Sequence, residues 1–534
     1  MENMAVPVSA VRYPRTRSQP PGTGAPRRPA LRLAVVASAY AAVQLAFVVP
    51  HTRHALGWDE SVYVSQVDPR GPAAYFSAPR SRGISLLVAP VTGLTSSHPA
   101  LRLYLVLLSA AALYAAFRVW DRLVGRGATA LAALLFAGLW ITQTSGPAAM
   151  PNLWVALGAV AAAGWFLRVP EQPRARWWLA ATLASVTLVR TPDGAWLALP
   201  LLVAAGCVRA WRPALPALAG GLALGAAQWA AEAYVRFGGL RERLRVSSDV
   251  EGGVGWHLNA GAAWRSLDGP QLCRPCEVPL RHPELTVWWL ALPLLAAAAV
   301  AVALRDARTP LQLRRGHPAS ALLAVACAAS LAVPYLFLID YSAPRFLMPS
   351  YALLALPVAG LALRALRSAS VPGRAVGVRA AARRATALRA ALGLALVLQL
   401  GSQLAVTRWA AAQSETTSGR YAAAARGLHR LGLRPPCLVT GYRALPVAYH
   451  AGCASAQVAG NNRSTTVPAL LRRSRREPTA LLTRHGGARP PAYARAWTPH
   501  RLPGTGWTAY LPPRPAPERE IRHKVSGRHG TMGP

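Results

Sequence analysis

Charge is scarce in this 534-residue chain, and negative charge is the scarcest. Asp, Glu, Lys and Arg make up 15% of the residues, with 20 acidic and 59 basic side chains. Lysine occurs once, at Lys524, so nearly all of the formal net charge of +39 comes from arginine. A soluble protein of this length needs more charge on its surface. Because apolar residues reach 53% and the mean hydropathy is positive, the composition indicates a polytopic membrane protein.

The chain also lacks the patterns of proteins that bind nucleic acids or nucleotides. Nucleic-acid binders place arginine on a polar face, interleaved with aromatic residues or within a recognisable motif. Here the arginines lie between apolar runs. The sequence has no P-loop and no G-x-G-x-x-G between a strand and a helix. We therefore expect no nucleic acid among the partners and no nucleotide-sugar site.

Apolar runs that approach the length of a membrane crossing recur along the chain. A span needs ~20 apolar residues at ~1.5 Å rise each. Eleven candidates lie at about 33–50, 100–119, 128–143, 153–167, 177–189, 195–207, 214–234, 285–304, 319–339, 346–363 and 390–406. The fifth and sixth are short, so they are either two spans with flanking residues or one interrupted span.

The distribution of arginine favours eleven separate spans. With a cytoplasmic N-terminus, most arginines of the membrane region fall on the inner side, and the three short outer turns hold only Arg190 and Arg345. This asymmetry follows the positive-inside rule. Fusing the fifth and sixth spans breaks the asymmetry and buries Arg190 and Asp193 in the bilayer, at a cost of about 3 kcal/mol each. We therefore expect a multi-pass protein of the cell membrane with an inner N-terminus and an outer C-terminus.

The polar segments divide the chain into four predicted parts. These are a disordered basic cytoplasmic tail at 1–32, a transmembrane domain at 33–407 with outer loops at 51–99 and 237–284, a small extracytoplasmic domain at 408–512, and a disordered tail at 513–534. The third part alternates helical and β-like patterns, which indicates a small α/β domain. The expected fold class is mainly α, a polytopic transmembrane helical bundle with a C-terminal α/β domain.

Cysteine is also scarce, with six residues, two of them within candidate spans. Cys273 and Cys276 form a lone C-x-x-C in a predicted outer loop. A zinc site needs a second such pair, which the sequence lacks, so a disulfide in an oxidising exterior is favoured over zinc. Cys437 and Cys453 share the predicted outer domain and are also able to pair.

Two carboxylates open the first predicted outer loop. Asp59 and Glu60 follow the first span by about nine residues, within the sequence GWDESVYVSQ. A partly buried carboxylate at this place is able to act as a general base on an incoming hydroxyl. The alternative is that Asp59 caps the helix that follows it. Both interpretations stay open at this point.

Basic residues follow in the same loop. Arg80 and Arg82 precede an apolar segment at 84–94, which is too short to span a membrane and predicts a helix along the outer leaflet. The two arginines are able to bind a lipid phosphate, and the alternative is that they reach into the headgroup region.

Four more polar residues lie near the outer ends of later spans. Arg190 and Asp193 share a short turn and are candidates for binding the substrate or its lipid phosphate, with a surface ion pair as the alternative. Glu232, near the outer end of the seventh span, is a further candidate for substrate binding, with pairing to Arg236 as the alternative. Arg345 lies at the mouth of the tenth span, and its planar guanidinium suits a phosphate group. The alternative for Arg345 is a boundary arginine.

The order of these features resembles the GT-C superfamily of membrane glycosyltransferases. A first span, a loop that opens with Asp-Glu, an interfacial helix and the late segment PRFLMPSYALLALP are similar to the protein O-mannosyltransferase and aminoarabinose-transferase branch. The resemblance covers about residues 30 to 410. It implies transfer of a sugar from a polyprenyl-phosphate-linked donor to an extracytoplasmic acceptor, with Asp59 as the catalytic acidic residue, Glu60 as its neighbour and Arg345 at the donor phosphate. Attack opposite the leaving phosphate implies inversion.

The chain departs from that branch in two segments. The turn GPAAMPNLW has Asn152 where a second carboxylate is expected, and an amide is neither a base nor a good metal ligand. We therefore assign no metal ligands and no cofactor from the sequence, and the use of a divalent metal stays an open alternative. The sequence Ala78, Pro79, Arg80 replaces the branch's His-Pro-Pro or Lys-Pro-Pro-like stretch. The alternatives are an inactive GT-C-like protein, or a transporter or flippase for a lipid-linked or cell-envelope substrate.

Overall fold

A computed structural model describes the chain over residues 32–267, 280–307, 317–370, 378–460, 462–484, 486–487 and 489–513. The predicted pairing of Cys273 with Cys276 lies outside the described residues, as do nearly all residues of the two predicted disordered tails.

The membrane region is built from eighteen described helices. They are α1 (Leu33–Phe47), α2 (Val49–Thr52), α3 (Trp58–Ser65), α4 (Gly83–Leu94), α5 (His98–Arg118), α6 (Asp121–Val124), α7 (Arg126–Ala137), α8 (Trp140–Ser145), α9 (Pro151–Arg168), α10 (Ala175–Val189), α11 (Thr191–Cys207), α12 (Leu215–Phe237), α13 (Leu240–Val250), α14 (Ala260–Arg265), α15 (Val287–Ala307), α16 (His317–Val333), α17 (Met348–Ala369) and α18 (Val378–Arg430). Short 3₁₀ or π turns lie at Arg209–Ala214, Pro283–Thr286, Pro334–Leu338 and Pro344–Leu347.

Each of the eleven apolar runs lies largely in a helix, with the third run divided between α7 and α8. Six helical segments among the described residues have the length and apolar character to cross a membrane: His98–Arg118, Arg209–Phe237, Pro283–Ala307, Pro318–Leu338, Pro344–Ala369 and Arg379–Arg430. The helices α1, α7 and α10 are apolar but shorter. The protein is a polytopic membrane protein, while the count of eleven crossings and the inner N-terminus stay predictions.

The helix α9 lies at the centre of the bundle, with most of its side chains buried, and packs against α5, α10 and α17. The helix α12 approaches α10 closely, because a Cβ added at Gly225 would lie 2.4 Å from the Ala184 carbonyl oxygen. Small residues permit such close contacts between apolar helices, where dispersion forces replace the hydrophobic effect. This packing fixes the ends of α10 and α12, from which several polar residues project.

The fifth and sixth runs form two distinct helices, α10 and α11. They meet at Arg190, whose backbone is extended with φ −154° and ψ 96°. Pro192 stands in the first turn of α11, where the missing N–H has no helical partner to lose. The start of α4 lies directly against this junction, since the Ser81 and Thr191 hydroxyl oxygens are 3.1 Å apart.

The last helix of the bundle continues into the C-terminal part of the chain. The helix α18 runs to Arg430 without a break, so the predicted domain boundary at 407/408 lies within a helix. The elements that follow are β1 (Leu438–Gly441), α19 (Ala444–Ala451), β2 (Ala454–Ser455), α20 (Val467–Ser474), β3 (Thr479–Arg484), a 3₁₀ turn (Ala492–Ala494), β4 (Thr498–Leu502) and β5 (Trp507–Leu511).

These strands form one mixed sheet in the order β2-β1-β3-β5-β4. The strands β2, β1 and β3 are parallel, with Leu438 opposite Thr479, and β5 and β4 are antiparallel additions. The end of α18 packs against the sheet through Tyr421 and Leu428. A disulfide joins Cys437 to Cys453. The expected small α/β fold and the pairing considered for these cysteines are confirmed.

Candidate active site

Asp59 lies in the first turn of α3 between two arginines from distant parts of the chain. Its Oδ1 accepts a hydrogen bond from Arg80 Nη2 at 2.6 Å, and its Oδ2 accepts one from Arg345 Nη2 at 3.2 Å. The Asp59 side chain is 28% exposed. Arg345 stands in the turn before α17, 286 positions along the chain from Asp59. The fold thus brings together three residues that the sequence singled out separately.

Arg190 is a third cation near Asp59. Its guanidinium lies over the rings of Tyr335 and Phe346, at 5.2 and 5.5 Å from their centroids. The distance from its Nε to Asp193 Oδ2 is 3.6 Å, too long for a hydrogen bond. Among the residues that the structure describes, this guanidinium forms no other ion pair.

Asp193 is buried rather than part of a surface ion pair, so the surface interpretation of this residue is wrong. Its exposed fraction is 1%. Its Oδ1 accepts a hydrogen bond from the Tyr335 hydroxyl at 2.5 Å. Asp193 therefore positions Tyr335, on which Arg190 stacks, and does not itself contact Asp59.

The charges around Asp59 control its protonation. Burial raises the pKa of the Asp59 carboxyl, but the positive charges of Arg80, Arg345 and Arg190 outweigh burial and hold the pKa below its usual value. Asp59 is therefore ionised at neutral pH. A carboxylate with a lowered pKa is a weak base, so its basicity increases only when cationic charge is drawn away from it.

Arg82 belongs to a second cluster, around Glu232 of α12. Arg82 donates to Glu232 at 2.6 Å and lies 4.1 Å from the centroid of the Phe76 ring. Arg236 also donates to Glu232, at 3.1 Å. This is the pairing that the sequence analysis gave as the alternative role for Glu232. Arg80 and Arg82 are thus two residues apart in sequence and bind different carboxylates.

Arg243 of α13 connects the two clusters, and no motif in the sequence marks it. The side chain is fully buried and donates to the carbonyl oxygens of Ala78 and Arg80, both at 3.0 Å, and to Glu232 at 3.2 Å. It thereby fixes the backbone that presents Arg80 to Asp59. Its surroundings in the sequence, LRERLR, are typical of a solvated helix face, which is why the residue escaped notice.

Glu60 points away from Asp59 into a network of its own. Arg102 forms a two-pronged ion pair with it, and the backbone N–H groups of Ala149 and Gly57 donate to it at 3.0 and 2.9 Å. Burial raises the pKa of Glu60, but Arg102 outweighs burial and lowers it. Glu60 therefore holds α3 in place.

The same contacts settle how α3 begins. Its N-cap is Gly57, whose backbone N–H donates to the Glu60 carboxylate at 2.9 Å. The alternative interpretation of Asp59 as the N-cap is wrong, so the Asp59 carboxylate is not engaged in starting the helix.

The residues around Asp59 do not offer a divalent cation a ligand set. Both carboxylate oxygens of Asp59 are bound by guanidinium groups. Asn152 is buried, and neither atom of its amide has a hydrogen-bond partner. Within the described ranges, no three His, Cys, Asp or Glu side chains lie close enough together to hold a metal ion. We therefore derive no step through a metal.

A cavity of about 840 Å³ lies beside this site, between the first loop, α18 and the C-terminal domain. Gly57 and Glu60 form part of its wall, whereas Asp59 does not. The cavity therefore borders the first turn of α3 through Gly57 and Glu60.

No protein-family model matches the sequence, and no curated protein matches it. The structure is similar to that of ArnT from Cupriavidus metallidurans in the apo state, with 13% identity, a TM-score of 0.57, and coverage of 90% of this chain and 97% of that one. For the same protein bound to undecaprenyl phosphate, the identity is 14% and the TM-score 0.53, at the same coverage.

An oligosaccharyltransferase from Archaeoglobus fulgidus, tethered with an acceptor peptide, is similar with 11% identity and a TM-score of 0.52, over 85% of this chain and 69% of that one. The chain therefore shares its fold with these two solved membrane proteins, and the fold that the resemblance in the sequence implied is confirmed.

Proposed function

We propose that this protein is a membrane glycosyltransferase that moves a sugar from a polyprenyl-phosphate-linked donor to an acceptor at the extracytoplasmic face. The observation that carries the proposal is the contact of one carboxylate, Asp59, with Arg80 and Arg345 at the ends of GT-C helices. The similar ArnT structure bound to undecaprenyl phosphate supports a lipid-phosphate donor.

The donor phosphate is bound by Arg345 and Arg190. Arg345 makes one long hydrogen bond to Asp59, and Arg190 only a distant contact with Asp193. Both retain guanidinium N–H groups for phosphate oxygens, which such forks bind in pairs. Tyr335 and Phe346 hold the Arg190 plane by stacking. Arg82, considered earlier as a phosphate ligand, instead pairs with Glu232, and the two maintain the loop that carries Arg80.

The reaction follows from the charges. As the bond between the anomeric carbon and the phosphate oxygen breaks, negative charge develops on the phosphate, and fixed arginines stabilise it. The same attraction draws Arg345 away from Asp59, so the pKa of Asp59 rises towards its usual value. Asp59 then accepts the proton of the acceptor hydroxyl, whose oxygen attacks the anomeric carbon opposite the phosphate. One such displacement inverts the anomeric configuration.

A transporter or flippase has less support. Transporter sites lie near the bilayer midplane, between discontinuous helices. Asp59 lies in the short helix α3 and Arg80 in a loop, both outside the candidate spans, and Arg345 stands just before α17. No polar cluster with comparable contacts lies in the middle of a helix within the described parts of the chain.

The test compares Asp59→Asn with Asp249→Asn, which makes the same chemical change at an exposed carboxylate. Each purified protein is given a labelled polyprenyl-phosphate sugar and a membrane extract as acceptor. We expect Asp59→Asn to lower the transfer rate at least about 100-fold, and Asp249→Asn to leave it unchanged. Equal rates in Asp59→Asn and wild type would remove the base from the mechanism. No transfer by the wild type from any lipid-phosphate sugar would favour an inactive GT-C-like protein.

A further inference from the structure

The cavity of about 840 Å³ beside α3 has walls suited to a sugar with negative charge. Its wall includes three arginines and one carboxylate, Glu60, which is already paired with Arg102. Glu60 and Arg102 compensate each other, so Arg443 gives its side of the wall a positive charge. Trp409 and Tyr421 add aromatic faces, and Thr417 stands with other hydroxyl groups between them on α18.

Arg443 is the arginine that the C-terminal domain contributes to this wall. It directly follows β1 and its loop, at the carboxyl end of the parallel strands. The order β2-β1-β3 places a topological switch point between β1 and β3, and open α/β sheets bind ligands at such points. The fold therefore turns the ligand-binding edge of the small sheet towards the cavity.

The backbone of Arg443 is strained. Its φ is +52°, the left-handed region that non-glycine residues rarely adopt. Such strain persists where the surroundings determine the conformation, often at functional sites. The guanidinium lies beside the phenol groups of Tyr421 and Tyr442 rather than beside a carboxylate. Its charge is thus available to a ligand in the cavity.

We propose that this cavity binds the acceptor, a polyhydroxylated glycan that carries a phosphate or carboxylate group, with Arg443 on the anion. That the bound glycan is the acceptor depends on the proposed transferase function. The existence of a binding site for an anionic glycan depends only on the cavity and its wall. The wall extends to Gly57, in the same turn as Asp59, and one helical turn rises only about 5.4 Å. The cavity therefore borders the turn of α3 that carries the proposed base.

The experiment measures binding of two soluble probes, glucose 6-phosphate and neutral glucose, to the full chain in lipid nanodiscs by calorimetry. We expect the phosphorylated sugar to bind more tightly than glucose. Arg443→Gln should weaken its binding about tenfold, the effect of one charge-assisted hydrogen bond. Arg476→Gln, at an exposed arginine of the same domain, is the matched control and should bind like the wild type.

A second variant guards against a folding defect in Arg443→Gln. Ser414→Trp adds bulk to the α18 wall and should reduce binding without changing Arg443. Binding that does not distinguish the two probes, or that is equal in Arg443→Gln and Arg476→Gln, overturns the proposal.

A third probe, undecaprenyl phosphate, separates this site from the donor site. It should bind to Arg443→Gln as to the wild type, but more weakly to Arg345→Gln. If the wild type binds the sugar phosphate in the expected manner but not undecaprenyl phosphate, the donor assignment fails and the cavity site stands.

Discussion

Arg345 donates a hydrogen bond to Asp59 at 3.2 Å, and this contact joins the turn before α17 to the first turn of α3. A phosphate that binds the same guanidinium draws its positive charge away from Asp59. A bound lipid phosphate therefore competes with Asp59 for Arg345. This competition couples donor binding to the basicity of the carboxylate.

The first prediction separates Arg80 from Arg82 by the pH dependence of transfer. The charge of Arg80 lowers the pKa of Asp59. Asp59 therefore stays ionised until the pH falls through this lowered pKa. Removing Arg80 raises the pKa. We expect Arg80→Gln to shift the acid limb of the kcat/KM profile to higher pH. Arg82→Gln removes a cation that binds Glu232 and not Asp59, so its acid limb should shift less than that of Arg80→Gln. Identical shifts in both variants would contradict the geometry.

The second prediction concerns Glu60 and stability. Arg102 is 3% exposed, so Glu60→Gln leaves a buried cation without its counter-charge. We expect the free energy of unfolding to fall by about 3 kcal/mol, measured by urea or thermal unfolding in detergent. The pKa of Glu60 is lowered in the folded protein, which sets the sign of the pH dependence. The stability that the Glu60 carboxylate contributes is complete above pH 4.5, its usual pKa, and is lost as the pH falls through its lowered pKa in the folded protein. Glu242→Gln, at an exposed carboxylate, should change stability little.

The third prediction treats Arg243 as a positioning residue. Arg243→Lys keeps the charge near Glu232 but cannot donate to two separate carbonyl groups as a guanidinium does. The backbone at Arg80 should loosen, so the acid limb of the pH profile should shift in the same direction as in Arg80→Gln. A purely structural role would lower the thermal stability and leave the pH profile of the folded fraction unchanged.

The fourth prediction tests the orientation of the C-terminal domain. Disulfides persist in oxidising compartments, and Cys437 and Cys453 form one in this domain. In a background with Cys273→Ser and Cys276→Ser, an impermeant maleimide should label intact cells only after mild reduction. Cys207 is exposed at the end of α11, which the predicted topology places inside, and should be labelled only after permeabilisation. The reverse order of labelling would invert the topology.

The sequence was informative where the signal is local. Apolar runs marked the helices, and the arginine asymmetry separated α10 from α11 at Arg190. Asp59 and Arg345 were found because short motifs carry the family resemblance. Arg82 and Arg80 could not be told apart, since their partners lie on different elements. Arg102 and Arg243 were missed because nothing in their local sequence distinguishes a buried arginine from a boundary or solvated one. Their roles arise from contacts 42 and 163 positions away along the chain.

The most direct measurement is an experimental structure of the full chain in nanodiscs with undecaprenyl phosphate. We expect the phosphate to lie within hydrogen-bonding distance of Arg345 and Arg190, and the Arg345 guanidinium to have moved away from Asp59. A phosphate bound elsewhere, with the contact between Asp59 and Arg345 unchanged, would rule out the proposed donor site and its coupling to Asp59.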